Sequence, residues 1–154
     1  MDGHEQWLLE CERMGYKPEA RLYAEGTRTS QDAADQLGCD VAHIAKSIVF
    51  AGKGGAVVVI TSGANRVERK RKLKRLLGYK PSMTDAEYII KNTGYSPGGV
   101  PPFGHMKPCT VLMDEDLLQY DLVWGAGGTA QTVFPMSPRD LLSLAGATVA
   151  DLKQ

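Results

Sequence analysis

The chain has 154 residues, of which 43% are hydrophobic and 23% charged, and 18 basic residues balance 18 acidic ones. These are globular values for a chain long enough to bury most of its apolar surface. A formal net charge of zero excludes a global field for nucleic acid, so any such role must rest on local charge. No apolar run is long enough to span a bilayer. The opening MDGHEQWLLECERMG is acidic and amphipathic, unlike a signal peptide. Cys11, Cys39 and Cys109 form no CxxC pair, and His4, His43 and His105 show no metal-ligand spacing. A single cytoplasmic domain, 1–154, with no metal, cofactor or membrane contact is the expectation.

In chain order, Trp7, Leu8, Cys11 and Met14 fall on one stripe at helical spacing, and Lys17-Pro18 ends that helix. Ala20 to Ala24 reads as a short strand. Thr29 and Asp32 fit a capping pattern for a helix running to Gly38. A helical turn from Asp40 to Ala45 leads into a β-prone segment, Lys46 to Phe50. Gly52-Lys53-Gly54-Gly55 turns the chain into AVVVIT, Ala56 to Thr61, which reads as a buried strand in a hairpin with the one before it. Alternation places Lys46, Ile48 and Phe50 on one face of the first strand and Ser47 and Val49 on the other. A lysine among apolar neighbours must reach water at a rim, pair with an acid, or meet an anionic ligand.

Seven of the ten residues of RVERKRKLKR, Arg66 to Arg75, are basic, with Leu73, Leu76 and Leu77 as an apolar face, Asn65 as a candidate cap and Gly78 as the stop. This helix is either a solvated face or a contact for an RNA backbone. Thr84 to Glu87 fits a capping box for a helix through Lys91. Next comes TGYSPGGVPPFGH, Thr93 to His105, with four glycines and three prolines in thirteen residues. That mixture makes a shaped loop, with backbone N–H groups at Gly98, Gly99 and Val100 suited to a carbonyl oxygen, an oxyanion or a phosphate. It is also readable as a long structural turn. CTVLM, Cys109 to Met113, is a strand, followed by a turn at Asp114 to Leu118. Two further strands, Asp121 to Trp124 and Thr132 to Phe134, flank a glycine cluster, Gly125 to Gly128. Ser137-Pro138-Arg139-Asp140 opens a last helix that stops at Gly146. Strands and helices mix without strict alternation, which favours an α+β fold with a mixed sheet or barrel.

Together AKSIVF with Lys46, NRVERKRKLKRLLG, TGYSPGGVPPFG, the Asp114 turn after CTVLM, and WGAGG followed by SPRDLL resemble the YbaK/ProX-type aminoacyl-tRNA deacylases. These are relatives of the editing domain inserted in many bacterial prolyl-tRNA synthetases. The resemblance runs from about Gly26 to Asp151. It implies a mixed, mostly antiparallel barrel-like sheet flanked by helices, and an enzyme that hydrolyses the ester of mischarged tRNA, commonly a tRNA for proline. Prolyl-tRNA synthetase is the implied protein partner. The family's catalytic lysine falls on Lys46 and its substrate-cradling glycine on Gly98, with Gly99 beside it. Ala126 stands where some members carry serine, and Ser47 where the alanyl-specific branch carries asparagine, so the class transfers without a particular amino acid.

On this reading the N–H groups of Gly98 and Gly99 hold the ester carbonyl. Lys46 holds the terminal nucleotide's phosphate or sugar, or steadies the developing oxyanion. The attacking group is water, a ribose hydroxyl or the substrate's own side chain, since the sequence shows no Ser–His–Asp or Cys–His constellation. Tyr23, Ser47, Ile48, Phe50, Val100, Ala126 and Gly127 are the expected substrate-binding residues. Arg66, Arg69, Lys70 and Lys74 are the expected tRNA contacts. Competing readings are a non-catalytic tRNA- or synthetase-binding module and a small-molecule ester or thioester hydrolase.

Overall fold

A computed structural model of the chain describes residues 1–26 and 29–154. In chain order the elements are α1 (Gly3–Arg13), β1 (Arg21–Leu22), α2 (Ser30–Leu37), β2 (Ala45–Ala51), β3 (Ala56–Ser62), α3 (Lys74–Leu77), α4 (Ala86–Thr93), β4 (Thr110–Asp114), β5 (Val123–Ala126), β6 (Thr132–Met136), α5 (Pro138–Ala145) and β7 (Thr148–Ala150). The strands form two sheets. One has the order β2-β3-β4-β7, with β2 antiparallel to β3 and the pairs β3/β4 and β4/β7 parallel. The other is antiparallel, in the order β1-β6-β5.

The fold is therefore α+β with mixed sheets, and the expected barrel-like sheet is not found among the described residues. A single parallel bridge, Ile44 to Trp124, joins the two sheets where β2 begins. Closing a barrel needs a continuous ladder around the axis. Here β1 spans two residues and β7 three, and each lies at the edge of its sheet.

Strand β3 is buried at every position, as its unbroken β-branched run foretells. Its alternation divides the interior. Val58 and Ile60 face the larger core with Trp7, Tyr95, Phe103 and Phe134, whereas Val57 and Val59 face a smaller one with Phe50, Leu73, Leu112 and Leu152. Register pairs Lys46 with Thr61 and Ser47 with Ile60.

The glycine–proline loop is braced from within and from α1. The Tyr95 hydroxyl donates to the Gly104 carbonyl at 2.7 Å, and His105 Nε2 donates to the Pro101 carbonyl at 2.8 Å. Trp7, fully buried, packs on Phe134 and Phe103 with ring centroids 4.6 and 5.7 Å away, and its Nε1 donates to the Phe103 carbonyl at 3.1 Å. Cys11 shares this core, whereas Leu8 and Met14, placed on the same stripe by spacing, are exposed.

Several boundaries differ from expectation for local reasons. The basic segment turns helical only at Arg69, because Val67 bridges to Lys153 and the Glu68 amide donates to the Leu152 carbonyl at 2.7 Å, which holds Arg66 to Glu68 extended. Glu68 then caps the turn by accepting from the Arg71 amide at 3.0 Å. The first turn is wide, with the Leu73 amide reaching the Glu68 carbonyl five residues back. Asn65 is not the cap; its Nδ2 donates to Asp116 at 2.9 Å. Asp85 rather than Thr84 caps α4, because the Thr84 hydroxyl donates to the Val49 carbonyl. The expected strand at Ala20 to Ala24 shrinks to Arg21–Leu22. No helix among the described residues is long and apolar enough to cross a membrane.

Replacing Trp7 with Ala removes a buried aromatic that joins α1 to the loop, so stability should fall by about 3–5 kcal/mol. Urea unfolding reads that loss, and faster exchange of the hydrogen-bonded loop amides of Gly99 and Met106 should accompany it.

Candidate active-site cleft

The sheets meet beside a cleft of about 330 Å³ where β2, the glycine–proline loop and β5 converge. Lys46, Ser47 and Ile48 line it from β2, Gly98 and Val100 from the loop, and Trp124, Gly125 and Ala126 from β5. Residues far apart in the chain thus share one concavity, the ordinary shape of a small-molecule site.

The loop's contribution follows from its turn chemistry. Ser96-Pro97-Gly98-Gly99 is closed by the Gly99 amide donating to the Ser96 carbonyl at 3.0 Å, and Gly98 has φ +84°. Proline second and a positive-φ glycine third is the pattern of a type II turn, which disfavours any side chain at Gly98. Among the described residues the N–H groups of Gly98 and Val100 have no hydrogen-bond partner. Gly99 corrects the expectation of a donor at that position. Its N–H is spent inside the turn, it does not line the cleft, and a Cβ there would sit 2.7 Å from the Thr129 backbone. Its smallness instead lets the loop dock on the β5–β6 connection.

Lys46 is half-buried and, among the described residues, has no hydrogen-bond or ion-pair partner. Burial, and then the nearby Arg66 charge, lower its pKa below the ordinary lysine value. Beside it, the Ser47 hydroxyl is buried without a partner, as is that of Thr61 across the ladder. Such an unsatisfied hydroxyl typically costs about 1–3 kcal/mol.

Other expected residues lie elsewhere. Tyr23 packs with Ala34, Trp124 and Val133 and does not line the cleft. Gly127 is held away from it, accepting from His4 Nδ1 at 2.7 Å while its amide donates to the Thr132 carbonyl. Phe50 is buried and borders a second groove on the far side of Lys46, together with Arg66, Arg69 and Lys70. Lys74 is exposed and lines neither concavity. Cys109 lies outside the cleft, and burial raises its thiol pKa, so it is no activated nucleophile. His105 is committed to bracing the loop. No cluster of His, Cys, Asp or Glu suited to a metal ion occurs among the described residues.

Sequence reasoning missed the wall opposite Lys46. Ile44, Trp124 and Val133 supply apolar surface there, and the Arg21 guanidinium lies 4.8 Å from the centre of the Trp124 ring. Trp124 stands at the head of the glycine cluster that drew attention as a turn. Only the pairing of β5 with β6, and its bridge to Ile44, brings the ring to the cleft.

The cleft thus joins a lysine without a counter-ion to amides without partners, and no Ser–His–Asp or Cys–His constellation lines it among the described residues. Residues 24–144 match the family model described as the aminoacyl-tRNA editing domain. The chain belongs to that family and is an enzyme of the aminoacyl-tRNA deacylase class. It is similar over its whole length to a solved structure described as a candidate trans-editing enzyme for prolyl-tRNA synthetase, at 39% identity and TM-score 0.93, covering 98% of that chain. It is 25% identical to EbsC of Enterococcus faecalis, described as a candidate Cys-tRNA(Pro)/Cys-tRNA(Cys) deacylase, over 94% of this chain and 89% of that protein. It is also 33% identical to the proline–tRNA ligase of Thermosipho melanesiensis, over 54% of this chain and 15% of the ligase.

The electrostatics give a direct check. Lys46 should lose its proton at a lower pH than an exposed lysine, and Arg66→Ala should move that titration partway back up, since burial remains when the like charge is gone. An NMR titration of ¹³C-labelled lysine side chains reads both shifts.

Proposed function

We propose that this protein removes a wrongly attached amino acid from tRNA in trans, on a tRNA for proline, in the cytoplasm and alongside prolyl-tRNA synthetase. The observation that carries the reading is the sharing of one cleft by Lys46, a cation without a counter-ion, and by Gly98 and Val100, whose amides lack partners, all among the described residues. Likeness to a candidate trans-editing enzyme for prolyl-tRNA synthetase, to EbsC and to part of a proline–tRNA ligase supports the choice of tRNA and partner.

In this mechanism the ester carbonyl oxygen accepts from the Gly98 and Val100 amides. Attack on the carbonyl carbon gives a tetrahedral species whose negative oxygen those donors and Lys46 stabilise. The bond from that carbon to the ribose oxygen then breaks, and the ribose oxygen takes up a proton. Water supplies the attack, oriented by the neighbouring ribose hydroxyl, or a nucleophile on the amino acid side chain attacks in its place and carries the acyl group away as a cyclic product. An aminoacyl ester needs positioning and charge stabilisation more than a strong protein nucleophile, and losing one oxyanion donor typically costs about 3 kcal/mol.

The amino acid side chain lies against the apolar wall of Ile44, Trp124 and Val133. Apolar walls alone discriminate by about 1–3 kcal/mol per methylene.

Lys46→Ala should lower deacylation of the preferred mischarged tRNA by about 10²–10³-fold. Its melting temperature should stay the same or rise, because the substitution removes a half-buried charge with no partner. Turnover equal to wild type would contradict the assignment. Ser47→Ala should leave that turnover largely unchanged and raise stability by about 1 kcal/mol, because it removes a buried hydroxyl without a partner among the described residues. Deacylation of a panel of mischarged tRNAs, run beside the matching free aminoacyl esters, measures both turnovers and separates tRNA editing from general ester hydrolysis.

A further inference from the structure

Behind Lys46, away from the cleft just described, lies a second groove of about 530 Å³. Lys46 and Ile48 line both concavities and so form the divide between them. The two sides differ in chemistry. The first offers apolar walls and free amides; the second carries Arg66, Arg69 and Lys70 around Phe50, Ile48 and Met83.

Charge in the second groove is not balanced from within. Its one side-chain carboxylate, Glu68, is engaged by Arg71, accepting from the backbone amide at 3.0 Å with the guanidinium 3.6 Å away, and Gln154 also lines the groove, its amide donating to the Arg66 carbonyl at 2.8 Å. Arg69 donates to the Pro81 carbonyl at 2.9 Å, and Lys72, outside the groove, pairs with Asp151 at 2.8 Å. Lys46, Arg66 and Lys70 have no carboxylate partner among the described residues. Like charges gathered without a counter-ion repel one another, and an anion held between them relieves that repulsion. Met83 is 69% exposed, an apolar side chain left at the edge of this basic surface. Cations beside exposed apolar groups match single-stranded nucleic acid, which presents phosphates and flat base faces together.

We propose that this groove binds the single-stranded 3′ end of the tRNA. Arg66 and Lys70 contact the phosphates that precede the terminal adenosine, and a base lies against Met83 and Ile48. The assignment rests on the deacylase reading, and it sets the substrate's direction across the divide. The amino acid enters the apolar cleft, the ester lies at Lys46, and the polyanionic chain leaves through the basic groove. It also divides the basic segment by role: Arg66 and Lys70 face the groove, whereas Arg71 and Lys72 are spent on intramolecular pairs.

The test uses the full chain and the uncharged RNA trinucleotide CCA, with methyl NMR as readout. The trinucleotide should shift the Ile48 and Met83 methyls, and its affinity should fall with added salt. Lys70→Ala should weaken binding by about five- to tenfold and reduce the salt slope by about 0.7, the loss of one single-strand phosphate contact. Lys74→Ala, outside the groove, should cost less. Shifts confined to Val100 and Val133, or equal losses at Lys70 and Lys74, would overturn the proposal. Because the probe carries no ester, the two readings fail separately. A protein that binds the trinucleotide in the groove yet deacylates no tRNA keeps this assignment and loses the enzymatic one; one that deacylates with a silent groove does the reverse.

Discussion

A strand buried on both faces has no freedom to slide, and β3 is such a strand. A slip by one residue would exchange Val58 and Ile60, which belong to the Trp7 core, with Val57 and Val59, which belong to the Phe50 core. That constraint sets the register of β2 and puts Lys46 opposite Thr61. The lysine consequently stands at a divide between two concavities, half out of water and without a counter-ion among the described residues. Such a charge contributes nothing to folding. Its retention makes sense when the missing partner arrives with the substrate.

The second component is a stretch of backbone kept from relaxing. Prolines remove donors from the glycine loop, while Tyr95, His105 and Trp7 hold its carbonyls in place. The turn at Ser96 to Gly99 consumes one amide and leaves those on either side of Gly99 without partners among the described residues. Electrostatic stabilisation is effective when the donors are already arranged and need not reorganise as charge develops. Both components rest on the same aromatic core, since Phe103 and Phe134 pack on Trp7 and that cluster abuts β3.

Local signals in the sequence were read well where the physics is local. The Thr29–Asp32 capping box, the Ser137 cap, the glycine stops at Gly38, Gly78 and Gly146, and the buried run at Ala56 to Thr61 all recur in the structure. Lys46, Ser47, Ile48, Gly98, Val100 and Ala126 do converge on one cleft. The failures share a cause, which is competition from a distant partner. Gly127 was taken by His4 and Thr132, Gly99 by Ser96 and Thr129, and Arg66 to Glu68 by the C-terminal segment. Strand β7 was missed because Thr148 to Ala150 has no pattern of its own and exists only as an edge beside β4. The expected barrel failed for a related reason, since periodicity marks strands but does not say which edges meet.

The central claim is that an aminoacyl ester lies across Lys46 with its carbonyl on the unpartnered loop amides. A crystal structure with a non-hydrolysable amide analogue of 3′-aminoacyl-adenosine tests it most directly. The account predicts the carbonyl oxygen within hydrogen-bond reach of the Gly98 or Val100 amide, the side chain against Trp124, and the nucleoside toward Arg66. An analogue bound with its acyl group in the basic groove, or away from Lys46 altogether, would contradict it.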